Sequence, residues 1–452
     1  MTALLVGLLL AQSGVTTTGY LDSRTTTAAT QRDGAAGLTQ LVEGNVQLKF
    51  DAHERFKLYT DASLFWQQAA YIHGGDRDLP TFRPQVVLAE AYVDAPLQDH
   101  FRLLVGKKRI VWGAGLAFNP TDLLNPPKDP TDPTFQRAGA WLAQAEWAYE
   151  KVAVSVVAAG AVTRQYAGLP TALIFYPEQE TYEQTRGWAA NTRDDEAHVS
   201  VMARLYLLLA DTDVNLIYGY TNLYNDAFKK KSKVGFSLSR VFGNLEVHAE
   251  GLFYTGASRL EANPDCVEAP MACALRGETV ASRPHLEAEW LNAKVVAGGR
   301  YQFDDSSFLS LEYYFNGEGL SEAKYRDLAY LALSQPLVAQ QLLSGGADPG
   351  TPQKFAFEPF RRHYAVLQYQ KPQIADDFTL GLSALVGLED LSAQVVPMVQ
   401  WMPKEWLQLT LAAYVPIAGL TEEGVAYGDE TFGQLTLSPQ LTRVMLQARA
   451  FF

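Results

Sequence analysis

Apolar and polar residues alternate with period two along much of the chain, in place of the three-and-four spacing of a helix. In LQLTLAAYV, at 407–415, Leu407, Leu409, Leu411, Ala413 and Val415 fall on one side and Gln408, Thr410 and Tyr414 on the other. NLEVHAEGLFY, at 244–254, sets Val247, Ala249, Gly251 and Phe253 against Glu246, His248, Glu250 and Tyr254. FLSLEYYFN, at 308–316, sets Leu309, Leu311, Tyr313 and Phe315 against Ser310, Glu312, Tyr314 and Asn316. Successive strand side chains point to opposite faces, so each segment predicts a strand with one oily face. Their lengths lie near the ~10 residues that a tilted strand needs to cross a bilayer. The final stretch, LTRVMLQARAFF, repeats the pattern: Val444, Leu446, Ala448, Ala450 and Phe452 in one phase, Arg443, Met445, Gln447, Arg449 and Phe451 in the other.

The connections separate a membrane barrel from a soluble sandwich, which would alternate in the same way. Tight turns are predicted at 53–55, 98–100, 150–151, 211–213, 243–244, 304–307, 375–377 and 403–405. Between them fall long connections at 73–85, 119–138, 167–196, 258–284, 317–361 and 420–433, with modest ones at 225–230 and 388–392. Short turns at one end and long loops at the other mark outer-membrane barrels, whose strand number is even. The segments number about eighteen, with sixteen as the alternative, and both termini lie on the turn side. Phe56, Phe101, Phe303, Phe308, Phe378, Trp401 and Trp406 flank the short turns, where aromatic rings suit the membrane interface. A barrel removes strand edges by pairing its last strand with its first, so Phe452 is expected to close the ring.

Composition narrows the class. The 452 residues carry a net charge of -13, which disfavours nucleic acid, and the one basic run is KKKSK at 229–233. No stretch after the start has the 18 or so continuous apolar residues of a membrane helix, so a membrane would be crossed by strands. The opening, MTALLVGLLLAQSG, reads as a signal peptide over 1–14 without a basic leader, with cleavage near Ala11 or Gly14. Residues 15–452 then form a single all-β domain, a transmembrane antiparallel barrel in the outer membrane of a Gram-negative bacterium. Cys266 and Cys273, close together in an exported chain, are expected to form a local disulfide, two free thiols being the alternative.

The stretch VGKKRIVWGAGLAFNPTDLLNPPKDPTDP, at 105–133, carries Gly106 and Lys107, Trp112 and Gly113, Asn119, Pro120 and Asp122, and Asn125 and Pro126. It resembles a pattern of alginate-exporter-like and other porin-type outer-membrane barrels. The resemblance covers this stretch directly and the remaining chain in architecture; members often have Arg and Gln after the glycine, where this chain has Lys107 and Lys108. It implies export of polysaccharide or passive passage of polar solutes. Read physically, the stretch is a strand followed by a stiff loop, because the five prolines between Pro120 and Pro133 remove donors and fix φ. Asn119 and Asn125 favour local turns. Such a loop either constricts the mouth or caps the rim.

A second insertion, SEAKYRDLAYLALSQPLVAQQLL at 321–343, has helical spacing broken at Pro336. Ser321 can cap it, and Tyr325, Leu328, Leu331 and Ala332 share a face that needs cover, either as a plug in the pore or against neighbouring loops or a partner. The lumen-facing candidates are Lys107 and Arg109, Arg443 and Arg449, and Glu246, Glu250, Glu289 and Glu312; a charge facing lipid near the midplane would cost ~2–4 kcal/mol for Lys or Arg. Lys108, in the other phase, has no place in that scheme. No catalytic motif, metal-ligand set or cofactor signature is present: GFSLS at 235–239 lacks the last glycine of a nucleophile elbow, and His198 beside Asp194, Asp195 and Glu196 reads as a solvated loop. The chain is therefore read as a non-enzymatic channel without cofactors. Its expected partners are lipid, the barrel-assembly machinery and periplasmic export or machine components. A non-conducting barrel that anchors an envelope machine is the competing reading.

Overall fold

The alternation closes on itself. In the computed structural model, eighteen antiparallel strands form one closed barrel. They are β1 (Val15–Ala29), β2 (Ala36–Ala52), β3 (Phe56–His73), β4 (Thr81–Gln98), β5 (Phe101–Lys108), β6 (Ala140–Tyr149), β7 (Val152–Gly160), β8 (Val199–Leu209) and β9 (Thr212–Thr221), followed by β10 (Lys231–Phe242), β11 (Leu245–Ser258), β12 (His285–Gln302), β13 (Phe308–Asn316), β14 (His363–Ile374), β15 (Phe378–Gly387), β16 (Ala393–Lys404), β17 (Leu407–Ile417) and β18 (Thr442–Phe451). The structure describes residues 15–29, 36–52, 56–73, 76–77, 81–125, 130, 139–160, 199–221, 231–258, 261–269, 272–273, 276, 281–282, 285–334, 360–375, 377–417, 425–427, 430–432, 435 and 442–452. The signal-peptide reading of 1–14, the connection at 167–196 and the second half of the 321–343 insertion lie outside them.

Consecutive strands pair, and β18 pairs with β1 from Tyr20 opposite Phe451 to Ala29 opposite Thr442. Phe452 completes the seam: its amide donates to the Gly19 carbonyl and the Gly19 amide donates to the Phe452 carbonyl, each at 3.0 Å. The last residue is thus a ladder residue. Its role at the end of the chain is the one the terminal alternation predicts, because a ring leaves no unpaired edge.

The two phases separate by environment. On β17 Leu411 is 50% exposed and its neighbour Thr410 is 2% exposed; on β18 Leu446 is 57% exposed and Gln447 1%. The exposed phase holds Leu64, Val93, Val105, Leu216, Val234, Leu311 and many similar side chains, a continuous apolar belt around the outside. A monomer in water does not leave so large an apolar surface uncovered, since burial stabilises by about 25 cal/mol per Å². The barrel therefore has the outer surface of one that sits in lipid. Phe56, Phe303, Phe378, Trp401 and Trp406 are exposed beside the short turns, and Trp66, Tyr218 and Tyr313 lie further along their strands, so aromatic rings flank the belt at both ends. Phe378 and Trp401, opposite one another on β15 and β16, stack at 5.8 Å.

The hairpin between β8 and β9 has two central residues, Ala210 and Asp211, both with positive φ (47° and 60°), the geometry whose twist suits strands. At the turn between β12 and β13, Asp305 takes the Lys371 ammonium at 2.6 Å and the Ser307 hydroxyl at 2.5 Å, and these donors hold its carboxyl well below the usual range.

The opposite end carries the long connections. Helix α1 (Glu322–Ser334) starts after Ser321, whose carbonyl accepts from the Tyr325 amide at 2.9 Å. Its apolar face, with Tyr325, Leu328, Ala329 and Leu331, is buried. The helix packs against two short loop strands, Glu261–Ala262 and Val425–Tyr427, and Lys324 pairs with Glu261 at 2.8 Å. Arg361 lies 4.9 Å from the Tyr325 ring centroid, and burial pushes the Tyr325 phenol well above its ordinary range. Neighbouring loops, then, supply the cover that the helical spacing demanded.

Cys266 and Cys273, just beyond the Glu261–Ala262 strand, are joined in a fully buried disulfide with Cα atoms 5.6 Å apart. Asn263 caps the short helical turn Pro264–Cys266 through the Asp265 amide at 3.3 Å. Whole cells carrying the protein should react with a membrane-impermeant maleimide only after reduction. The bond closes a short loop and adds little to a ladder that lies elsewhere, so the Cys266→Ser, Cys273→Ser double variant should keep its folded gel migration. Labelling without reductant would show the pair open, and loss of the folded band would show that the loop supports the barrel.

Candidate functional site

The prolines and asparagines of 105–133 mark a place where the chain leaves the wall. Strand β5 ends at Lys108, and residues 109–125 fold inward and lie along the inner face of the barrel. The departure comes earlier than the loop expected at 119. This changes the parity of the charges. Val93 and Val105, opposite one another, both face out, so Tyr92, Leu104 and Lys108 face in. Lys107, expected on the lumen wall together with Arg109, follows Gly106, whose φ of +134° interrupts the regular alternation; it is 1% exposed and its Nζ has no hydrogen-bond partner among the described residues. Arg109 reaches the lumen because the strand has already ended, so alternation no longer sets its direction.

Two lumen-facing carboxylates hold the tip of the segment. Glu250 of β11 accepts from the amides of Gly115 and Thr121 (the latter at 3.3 Å) and from the Thr121 hydroxyl at 2.8 Å. Glu312 of β13 accepts from the amides of Leu116 at 2.5 Å, Ala117 at 2.6 Å and Phe118 at 3.3 Å. Its Oε1 also lies 2.6 Å from His248 Nε2, and both side chains are buried. Backbone amides in an irregular loop need acceptors once taken from water, and an ionised carboxylate is a strong one. The two glutamates therefore do for this segment what a sheet does for a strand.

Apolar contacts seal the rest. Trp112, Leu123 and Leu124 pack on Leu104, Leu142, Met202 and Ile217 of the wall. Phe118 stacks on Tyr314 with ring centroids 4.2 Å apart and, with Ala117, joins Tyr364 and Leu385 further round. The segment thus touches inward-facing residues from β5 to β15. The wall makes room for it at Gly219, where an added Cβ would lie 2.7 Å from Leu123 Cδ1. Within the segment Gly113 has φ +110°, and a Cβ there would meet the Glu250 carboxylate.

The motif residues turn out to be the internal fastening. Asn125 Nδ2 donates to the Ile110 carbonyl at 2.6 Å and to Asp122 Oδ1 at 2.7 Å. Asn119, with its amide nitrogen toward the Trp112 carbonyl, donates to it at 2.9 Å and to Glu250 Oε2 at 3.0 Å. Thr121 and His248 complete the arrangement. Neither carries a sequence signal beyond its place, Thr121 between the two asparagines and His248 in phase with Glu250.

Beside the segment lies a cavity of about 220 Å³. Arg102, Lys108, Arg109, Trp112, Glu146 and Arg204 are among its lining residues. Arg102 pairs with Asp94, Arg109 with Glu90 at 3.5 Å, and Arg204 with Glu146 at 3.4 Å; Lys108 sits 4.4 Å from the centroid of the Tyr92 ring. Arg109 and Trp112 are among the residues the sequence marks, and Lys108 is the one it leaves unplaced; Arg102, Asp94, Glu90, Glu146 and Arg204 carry no sequence signal. Asp94, Glu146 and Arg204 sit at ordinary inward positions, and only the ring brings β4, β5, β6 and β8 together.

The other charged candidates are spread around the wall. Glu246 accepts from Ser239 at 3.3 Å; Arg443 stacks over Tyr414 at 4.6 Å; Arg449 binds Asp22 at 2.8 Å and lies over Tyr20. On the adjoining β1–β3 wall, Glu43 accepts from Tyr20 at 2.9 Å and Ser63 at 2.8 Å, and Asn45 donates to Asp61 at 2.6 Å. The Glu289 side chain lies outside the described residues. The inner face is therefore polar and of mixed sign.

A closed barrel with an apolar outside, a polar inside and a segment folded along its inner wall belongs to the class of transmembrane β-barrels. Solved structures to which the chain is similar include Pseudomonas aeruginosa OccK7 (9% identity, 97% of this chain and 98% of that one, TM-score 0.48), Salmonella typhi OmpF in complex with daunomycin (8%, 98% and 99%, 0.43) and a mutant of the Rh. blastica porin (10%, 97% and 100%, 0.40). No protein-family model matches the chain, and no curated protein does. The assignment of the fold rests on the strand ladder itself.

Proposed function

We propose that the protein is an outer-membrane channel through which polar solutes pass passively along a lumen narrowed by the segment 109–125. The observation that carries this reading is the fastening of that segment by Glu250 and Glu312. Five backbone amides bind two buried carboxylates, an investment that a loop resting on the rim would not require. The polar wall supports transit of hydrated solute. Export of a polymer is less favoured, because a chain would have to thread past that segment. The purified protein in planar bilayers should give discrete, ohmic conductance steps. A folded protein that inserts without steps would favour the scaffold reading.

A further inference from the structure

Glu312 meets His248 across an intervening strand. Register places His248 of β11 opposite Gly298 of β12, and Gly298 opposite Glu312 of β13. Neighbouring strands lie about 4.8 Å apart, so the backbones of His248 and Glu312 are separated by ~10 Å. Their side chains nevertheless touch, Nε2 to Oε1 at 2.6 Å. They do so over Gly298, where a Cβ would lie 2.7 Å from Glu312 Cγ and 2.6 Å from the Leu311 carbonyl oxygen. The glycine is what lets two long side chains share the space above the middle strand.

The contact has a direction. An ionised carboxylate only accepts, so the imidazole Nε2 donates. His248 Nδ1 has no partner among the described residues, which leaves Glu312 as the one polar contact of a fully buried ring. The three other donors to Glu312, the amides of Leu116, Ala117 and Phe118, all belong to the segment. Among the described residues, His248 is thus the one donor to Glu312 that the wall itself supplies. A carboxylate already turned toward its task loses less rotamer freedom when the segment docks.

We infer that His248, bridging over Gly298, is a positioning residue for docking of the segment: it holds the Glu312 carboxylate in the orientation that the amides of 116–118 require. The inference rests on the channel reading only in taking the docked segment to narrow the path.

The test reads docking and not conduction. Ala117, 3% exposed, is replaced by cysteine, which is then the only free thiol because Cys266 and Cys273 are joined. The folded protein in detergent is treated with N-ethylmaleimide. A thiol shielded in the docked segment reacts from the undocked state, so its rate follows the undocked population. In this background His248→Phe keeps a ring without the donor and should speed the reaction about tenfold or more, the factor expected for one lost hydrogen bond to a charged group. His248→Gln presents an amide donor at similar reach and should stay within about threefold of the parent. Gly298→Ala, which pushes on Glu312 directly, should react at least as fast as His248→Phe. A slow His248→Phe would show the donor to be dispensable, and a fast His248→Gln would show that shape decides and donation does not. Either result overturns the inference, as does a folded Gly298→Ala at the parental rate or an Ala117→Cys parent that reacts like free cysteine. Gel migration of unboiled samples checks folding. Should Gly298→Ala not fold, the two His248 variants decide; should His248→Phe not fold, His248→Leu takes its place. Absence of conductance steps in bilayers would retire the channel reading and leave these rates to decide on their own.

Discussion

Replacing Glu250 and Glu312 together with alanine should free the segment 109–125 from the wall and raise single-channel conductance severalfold. The two carboxylates accept from the amides of Gly115, Leu116, Ala117, Phe118 and Thr121. Hydrogen bonds to a charged group contribute about 1.5–3 kcal/mol each, and every buried amide left without an acceptor costs about 1–3 kcal/mol. These terms do not add strictly, but five of them exceed the about 3–5 kcal/mol expected for burying Trp112, the largest apolar anchor of the segment. The amides can recover partners only in water, which means leaving the wall. Glu312→Gln alone should have a smaller effect, since its amide keeps one acceptor while its nitrogen faces donors. Gel migration of unboiled samples checks that the barrel persists, because the altered side chains lie outside the backbone ladder. A folded double variant with parental conductance would show that the segment does not set the width of the path.

Removing Phe451 and Phe452 should abolish most of the fast-migrating, heat-sensitive band that marks a folded barrel. Phe451 donates its amide to the Trp406 carbonyl at 2.8 Å and lies opposite Tyr20, whose ring is 6.5 Å from its own; Phe452 exchanges two hydrogen bonds with Gly19. The truncation opens the seam at the turn end. In lipid the freed donors and acceptors have no water to turn to, each at a cost of several kcal/mol. It also removes the two aromatic rings at the end of the seam, one of which meets Tyr20 edge-on. Restoring two residues as Ala-Ala separates the effects: recovery of the folded band would assign the defect to the backbone seam, and no recovery would assign it to the rings. A normal band in the truncated protein would make the ending incidental.

Much of the barrel was legible in the chain because a strand writes its environment with period two. Leu411 beside Thr410 and Leu446 beside Gln447 differ in exposure as their alternation requires. The even strand count, the short turns and the closing role of Phe452 follow from the same pattern and from the rule that lipid tolerates no free edge. The spacing of the 321–343 insertion likewise indicated a helix with a face to cover. None of this reaches the site. Counting in twos placed Lys107 and Arg109 together, but alternation describes a residue only while it remains in the ladder, and the strand ends at Lys108. Which wall residues meet the segment depends on ring closure, which sets Glu250 and Glu312, 135 and 196 residues away from their amide partners Gly115 and Leu116, on the same inner face. Two glutamates in inward phase look like any lumen-lining pair. Tertiary structure alone makes them acceptors for a loop backbone, because only there are the orphan amides and the carboxylates taken from water together.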